Sequence, residues 1–168
     1  MNKFEKVDFD EFFDSLKDVH GEDVVESIAR IVYKNLKLPQ RATVGSAGYD
    51  FYAPYEIILQ SGEEMKIPTG IRCILDSDKF LALYPRSGLG FKYRMQLNNT
   101  VGIIDSDFCE TPTGGHIWIK IFNDNREGKI IKIEEGTAFA QGIITSFFVT
   151  DDDSSSQKRV GGFGSTSI

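Results

Sequence analysis

Near its end the chain reads Gly161-Gly162-Phe163-Gly164-Ser165-Thr166, three glycines, one ring and two hydroxyls in six residues, just after Lys158 and Arg159. A core helix or strand would not use that composition, because each glycine costs backbone entropy and packs nothing. Free amides, hydroxyls and two cations suit phosphate oxygens, and a ring face suits a base. These are the parts of an arm that closes over a nucleotide polyphosphate, with a solvated polar tail as the plainer alternative. Pro85-Arg86-Ser87-Gly88-Leu89-Gly90 ends an apolar run with a cation, a hydroxyl and two glycines that let amides approach an anion. Ala47-Gly48-Tyr49-Asp50 sets an acid at the opening of a strand, Asp105 and Asp107 are paired acids beside Phe108, and Gln141 interrupts an apolar run. Each also has an ordinary structural use: Asp50 as a turn acid, Asp105 and Asp107 bonding local amides, Pro-Arg-Ser-Gly as a loop, Gln141 as a satisfied core amide.

The elements that must position these residues change character near residue 37. Fifteen of the sixteen glycines and all five prolines lie beyond it. Before it, Phe9, Phe12, Phe13 and Leu16 recur at helical spacing, with Asp8 and Glu11 resembling a capping box. A second helix is expected after Gly21, with Val24, Val25, Ile28, Ile31 and Val32 on its apolar side and its last turn equally readable as a strand. That side is expected to pack on the body. From there, β-branched and aromatic runs at 49–53, 55–59, 65–67, 71–75, 80–84, 116–122, 130–133 and 143–149 alternate with turn signals and predict an all-β sandwich or barrel. The expected division is a helical extension (1–37), a β-body (38–150), and an acidic linker with the closing arm (151–168).

Residues 1–30 carry nine acids and four bases, a net of −5 out of −6 for the whole chain, so the body is near neutral. It lacks the basic excess of a nucleic-acid-binding surface. No stretch approaches the apolar length of a membrane span. Two cysteines, Cys73 and Cys109, make no disulfide framework and read as reduced thiols of a cytoplasmic protein. With His20 and His116 they lack the paired spacing of a zinc site.

In their order, the five stretches Ala47–Asp50, Pro85–Gly90, Gly102–Phe108, Gly136–Gln141 and Gly161–Thr166 resemble the motifs of the trimeric dUTPase family, over roughly residues 38–168. The resemblance implies a jelly-roll-like β-barrel, hydrolysis of dUTP to dUMP and pyrophosphate with Mg2+, and a homotrimer whose subunits share active sites. By that likeness Asp105 activates the attacking water and Asp50 holds the metal through water. Arg86, Ser87 and Gly88 grip the phosphates with Gln141 nearby. Asn99 and main-chain groups around Gly102 read uracil from the hairpin between the second and third motifs. Phe108 stands where many relatives have tyrosine, under the deoxyribose. Phe163 stacks on the base, while Gly164, Ser165, Thr166 and either Lys158 or Arg159 close over the γ-phosphate.

Three departures from the family pattern matter. The usual arginine slot before the last motif holds Lys158, with Arg159 one residue nearer; Ala138 stands where a basic residue is common; and the segment Cys109–His116 is longer than the usual turn. Two other functions fit the same features. A dCTP deaminase-like enzyme would share the fold, and a nucleotide-sensing interaction protein would use the acidic extension to hold a regulatory protein partner.

Overall fold

The computed structural model describes residues 1–157 together with Arg159 and Gly161. Strand β1 (Lys3–Lys6), helix α1 (Phe9–His20) and helix α2 (Glu26–Asn35) come first. Strands β2 (Tyr49–Tyr52), β3 (Ile57–Leu59), β4 (Glu64–Pro68), β5 (Ile71–Ile74) and β6 (Lys79–Pro85) follow. Helix α3 (Ser87–Tyr93) leads into β7 (Met95–Leu97) and β8 (Gly102–Asp105). A 3-10 turn at Ser106–Glu110 precedes β9 (Trp118–Asn123), β10 (Ile131–Ile133) and β11 (Ala138–Ser146).

The architecture is mostly β, but the described strands form four sheets and no closed barrel. Their orders are β2-β11-β6-β8, β4-β9-β7, β10-β3 and β1-β5. Side-chain alternation explains why they pack. In β9, Ile119 and Ile121 are buried while Trp118 and Lys120 face outward. Leu81 and Leu83 of β6 and Ile104 of β8 join the same core from the other large sheet.

The first 37 residues are not helical throughout, because Lys3–Lys6 pairs antiparallel with β5. A four-residue strand with one aromatic among three charged residues gives too weak a period to be read from sequence. Helix α1 uses the expected stripe: Phe12 and Leu16 are buried, and the Phe9 and Phe13 rings stack at 5.7 Å. Asp8 occupies the N-cap position without a side-chain capping bond, so the expected capping box does not form.

Helix α2 corrects the expected apolar side. Ala29 is its buried residue, with Val24, Val32 and Tyr33 packed against that small core, while Val25, Ile28 and Ile31 face solvent. Its last turn is helix, not strand. The small alanine permits close contact with α1, and a branched residue there would hold the helices apart.

Gly70 is a point of close contact between extension and body. Its φ is +69°, its carbonyl accepts from Val7 N at 3.0 Å, and a Cβ there would meet Leu36 and, at 3.1–3.2 Å, the Phe12 ring. Gly70→Ala is therefore expected to lower stability on the order of 2–4 kcal/mol, from backbone strain plus overpacking. Urea unfolding of the two proteins would measure it.

Candidate active site

Asp50, Arg86 and Gln141 come together because three neighbouring strands are in register. Gln141 of β11 lies opposite Asp50 of β2 on one side and Tyr84 of β6 on the other. Pro85 closes β6, so the next residue, Arg86, turns back across the strand ends, and its Nε lies 3.3 Å from Asp50 Oδ1. Gln141 Nε2 donates to the Pro85 carbonyl at 3.2 Å. Its Oε1 points at Gly48, where a Cβ would come within 2.5 Å. A residue with any side chain at 48 would displace the Gln141 amide.

The segment after Arg86 is helix, not the loop its sequence suggests. Arg86 caps α3, and the first intrahelical bonds run from Leu89 N and Gly90 N to the Arg86 carbonyl at 3.1 and 3.0 Å. The Ser87 and Gly88 amides precede those bonds, and the Cβ position of Gly88 opens onto empty space. Pro85, Arg86, Ser87, Gly90 and Phe91 line a shallow cavity of about 280 Å3. Amides, a hydroxyl and a guanidinium on one open rim can hold an anion chain.

Asn99 and Gly102 lie at a different place. Strands β7 and β8 are joined by a short turn in which Thr100 N donates to Leu97 O at 2.9 Å, yet they do not pair with each other. β7 pairs with β9, β8 pairs with β6, and each is the edge of its own sheet. The expected hairpin is thus a splayed pair, because Leu97 and Ile104 both turn into the core and hold the two strands in separate layers. Gly102 fits tightly over Leu83, whose side chain a Cβ would approach at 3.1 Å. Between the layers is a cavity of about 500 Å3 lined by Leu83, Leu97, Asn99, Gly102, Ile104 and Trp118, among others. Its apolar floor and two facing strand edges offer van der Waals contact plus main-chain donors and acceptors, which suits a flat heterocycle.

Asp105 and Phe108 form a third group. Asp105 pairs across β8 with Phe80, at the start of β6, whereas Arg86 follows its end. Six residues of strand separate the two, about 20 Å at 3.3 Å per residue. Arg159 binds here: Nη2 pairs with Asp105, and Nε lies 2.9 Å from Asp107 Oδ1. The guanidinium carbon is 5.7 Å from the centroid of the Phe108 ring, which is itself 4% exposed and part of the main core. Lys158, Phe163, Gly164, Ser165 and Thr166 lie outside the described residues.

Sequence reasoning missed several cavity residues: Glu11, Lys66, Thr113, Trp118 and Lys120. The outward alternation of Trp118 and Lys120 on β9 was a usable signal for two of them. Glu11 gave none, since its partner in the body is 105 residues away. The long segment 109–116 folds tightly: Gly115 has φ +76°, its Cβ position is filled by Cys109, and Thr113 joins the cavity lining.

The described residues contain no group of three or more His, Cys, Asp or Glu able to hold a metal. That sparse donor set fits a hydrated Mg2+ carried mainly by phosphate oxygens, with a carboxylate such as Asp50 reaching it through water.

Comparison with known proteins gives one answer. The dUTPase family model matches residues 34–167. The deoxyuridine 5'-triphosphate nucleotidohydrolase of Lactococcus lactis is 37% identical over 139 residues, covering 80% of this chain and 91% of that protein. The crystal structure of dUTPase from Streptococcus mutans superposes with a TM-score of 0.65 at 27% identity, covering 89% of this chain and 98% of that one. A dUTPase from phage phi11 of S. aureus, described with a structural Mg(II) ion, shares the fold at 20% identity and TM-score 0.59, covering 74% and 92% of the two chains.

Proposed function

Because this chain belongs to the dUTPase family, we propose that it hydrolyses dUTP to dUMP and pyrophosphate. The observation that carries the reading is the splayed cavity between β7 and β8 with Asn99 and Gly102 on its rim. Uracil presents a carbonyl, an N–H and a second carbonyl in a row. Two unpaired strand edges can answer that order with main-chain groups, and the Asn99 amide can supply a donor and an acceptor. A Cβ at Gly102 would crowd the Leu83 side chain at 3.1 Å, and by resemblance to the family this narrow rim is expected to refuse the methyl of thymine.

In the reaction a water oxygen bonds to the α-phosphorus, its proton passes to a carboxylate oxygen of Asp105, and the bond from the α-phosphorus to the α–β bridging oxygen breaks. Pyrophosphate leaves without a strong acid because its oxyanion is a good leaving group. Arg86, Ser87 and the Gly88 amide hold the phosphate chain in line for attack. Asp50 would hold Mg2+ through water, and the ion when bound would supply positive charge that offsets the charge developing on pyrophosphate. Phe108 supports the sugar end, Phe163 stacks on the base, and Gln141 braces the Pro85 carbonyl beneath Arg86.

No single copy can assemble this site if Asp105 and Arg86 stay about 20 Å apart along β6. That spacing supports a homotrimer in which the Asp105 and the Arg86 group of one site come from different copies. Two unpaired thiols, Cys73 and Cys109, support a cytoplasmic setting. Among the described residues no helix is long and apolar enough to cross a membrane. The division into extension, body and arm stands as part of this reading.

The test is release of pyrophosphate from dUTP against release of ammonia from dCTP, with magnesium. Rapid pyrophosphate with no ammonia is expected. Ammonia from dCTP would instead establish a deaminase on the same fold.

A further inference from the structure

The base cavity is not built by the body alone. Strand β7 covers the edge of β9 only from Asn123 to Ile121, with Asn98 N then reaching Lys120 O at 3.0 Å. Beyond that point β9 runs on to Trp118, about 7 Å further, with no strand beside it on that edge among the described residues. Helix α1 packs against β4, on the other flank of β9, and from it Glu11 lines the cavity together with Trp118, Lys66 and Thr113.

Contacts lock that wall together. Glu11 Oε1 is 3.1 Å from His116 Nδ1, and His116 Nε2 accepts from Gly70 N at 2.9 Å. With Nε2 accepting, the neutral ring carries its proton on Nδ1 and donates it to Glu11. Burial pushes the imidazole down to about 4, so it is neutral at ordinary pH, and burial, with Asp14 nearby, raises Glu11. The His116 ring lies 5.3 Å from the Trp118 ring. Trp118 also carries Lys66, whose Nζ is 3.9 Å from the ring centroid and 2.9 Å from Asp18 Oδ2 of helix α1. Helix α1 thus grips Trp118 at two points two helical turns apart, through Glu11–His116 and through Asp18–Lys66.

We infer that helix α1 forms the far wall of the nucleotide-base cavity and that Glu11 is a positioning residue, holding His116 and Trp118 opposite Asn99. The inference rests on the proposed dUTPase activity and adds a determinant of base binding outside the five motifs. A carboxylate bonded to an uncharged imidazole fixes the ring plane and, through it, the indole that the base meets. Loss of the bond leaves the phosphate grip and Asp105 untouched, so binding suffers and the chemical step does not.

The test uses the full chain. Trp118 is the sole tryptophan, so its emission should change as dUMP is titrated into the wild type. Glu11→Ala is expected to raise KM for dUTP about fivefold or more, to shift the dUMP titration by a similar factor, and to leave kcat within about twofold. Glu11→Gln keeps an oxygen for the His116 Nδ1–H and should restore KM to within about twofold of wild type. If Glu11→Ala does not fold, Asp18→Ala, at an exposed position, frees Lys66 from the same wall and should raise KM about fourfold, outside the range set for Glu11→Gln. An active wild type with unmoved KM in the folded variants, or a Glu11→Ala that loses only thermal stability, overturns this inference and leaves the functional reading intact. A wild type that does not cleave dUTP overturns both.

Discussion

Asp105→Asn should release pyrophosphate from dUTP about a hundredfold or more slowly than wild type, with nearly unchanged folding. The substitution keeps shape and one acceptor oxygen, so the β8–β6 register at Phe80 and the contact with Arg159 survive. What disappears is the ability to take a proton from water as the oxygen–phosphorus bond forms, a contribution of 10²–10⁴-fold for a positioned base. Binding should change far less, because the phosphate chain is held by Arg86, Ser87 and Gly88. Single-turnover rates with saturating dUTP and magnesium make the measurement. Asp107→Asn is the control, since it also meets Arg159 but is not assigned the proton. A variant keeping more than about a tenth of wild-type turnover would remove Asp105 from the role of base.

Truncation after Asp153 should cost a comparable factor through a different route. Residues 154–157 are exposed, and the one hydrogen bond they make among the described residues, Ser155 N to Asp153 Oδ1, is local. The body therefore keeps its sheets, and melting temperature and oligomer size should hold within a few degrees and without dissociation. Removed with the segment are Arg159, which pairs with Asp105 and Asp107, and the ring and hydroxyls of Phe163, Ser165 and Thr166. A stacked base is worth about 1–3 kcal/mol, and charge-assisted phosphate contacts add to it. Together these predict a fall in kcat/KM of about a hundredfold or more. Near-normal activity in the truncated protein would refute the closing arm.

Much of this was legible in the chain because chemistry and period were local. The α1 stripe and the alternation of β9 follow from spacing within a few residues, and both elements form where expected. Helix α3 was not legible, since Ser87-Gly88-Leu89-Gly90 carries two glycines that argue against a helix, and its bonds to the Arg86 carbonyl form only in the folded chain. Helix α2 misled for the opposite reason: its Val and Ile side is stronger than the Ala29 side that packs, and closeness to α1 decided the outcome. The motif residues announced their chemistry by type, yet nothing along the chain tells that Asp105 and Arg86 fall at opposite ends of β6. That distance is set by cross-strand register, which local pattern does not encode. The same holds for Glu11, joined to His116 by folding alone.

The parting of β7 from β8 also bears on how this protein can change over generations. Mutation exchanges side chains but leaves the sequence of amides and carbonyls along a strand as it was. A reader made of two bare edges keeps its preference through most substitutions, and altering that preference demands a shift of one strand against its neighbour. Such a shift would turn every buried residue of β8 outward at once, so fidelity toward one base is shielded by the stability of the core itself.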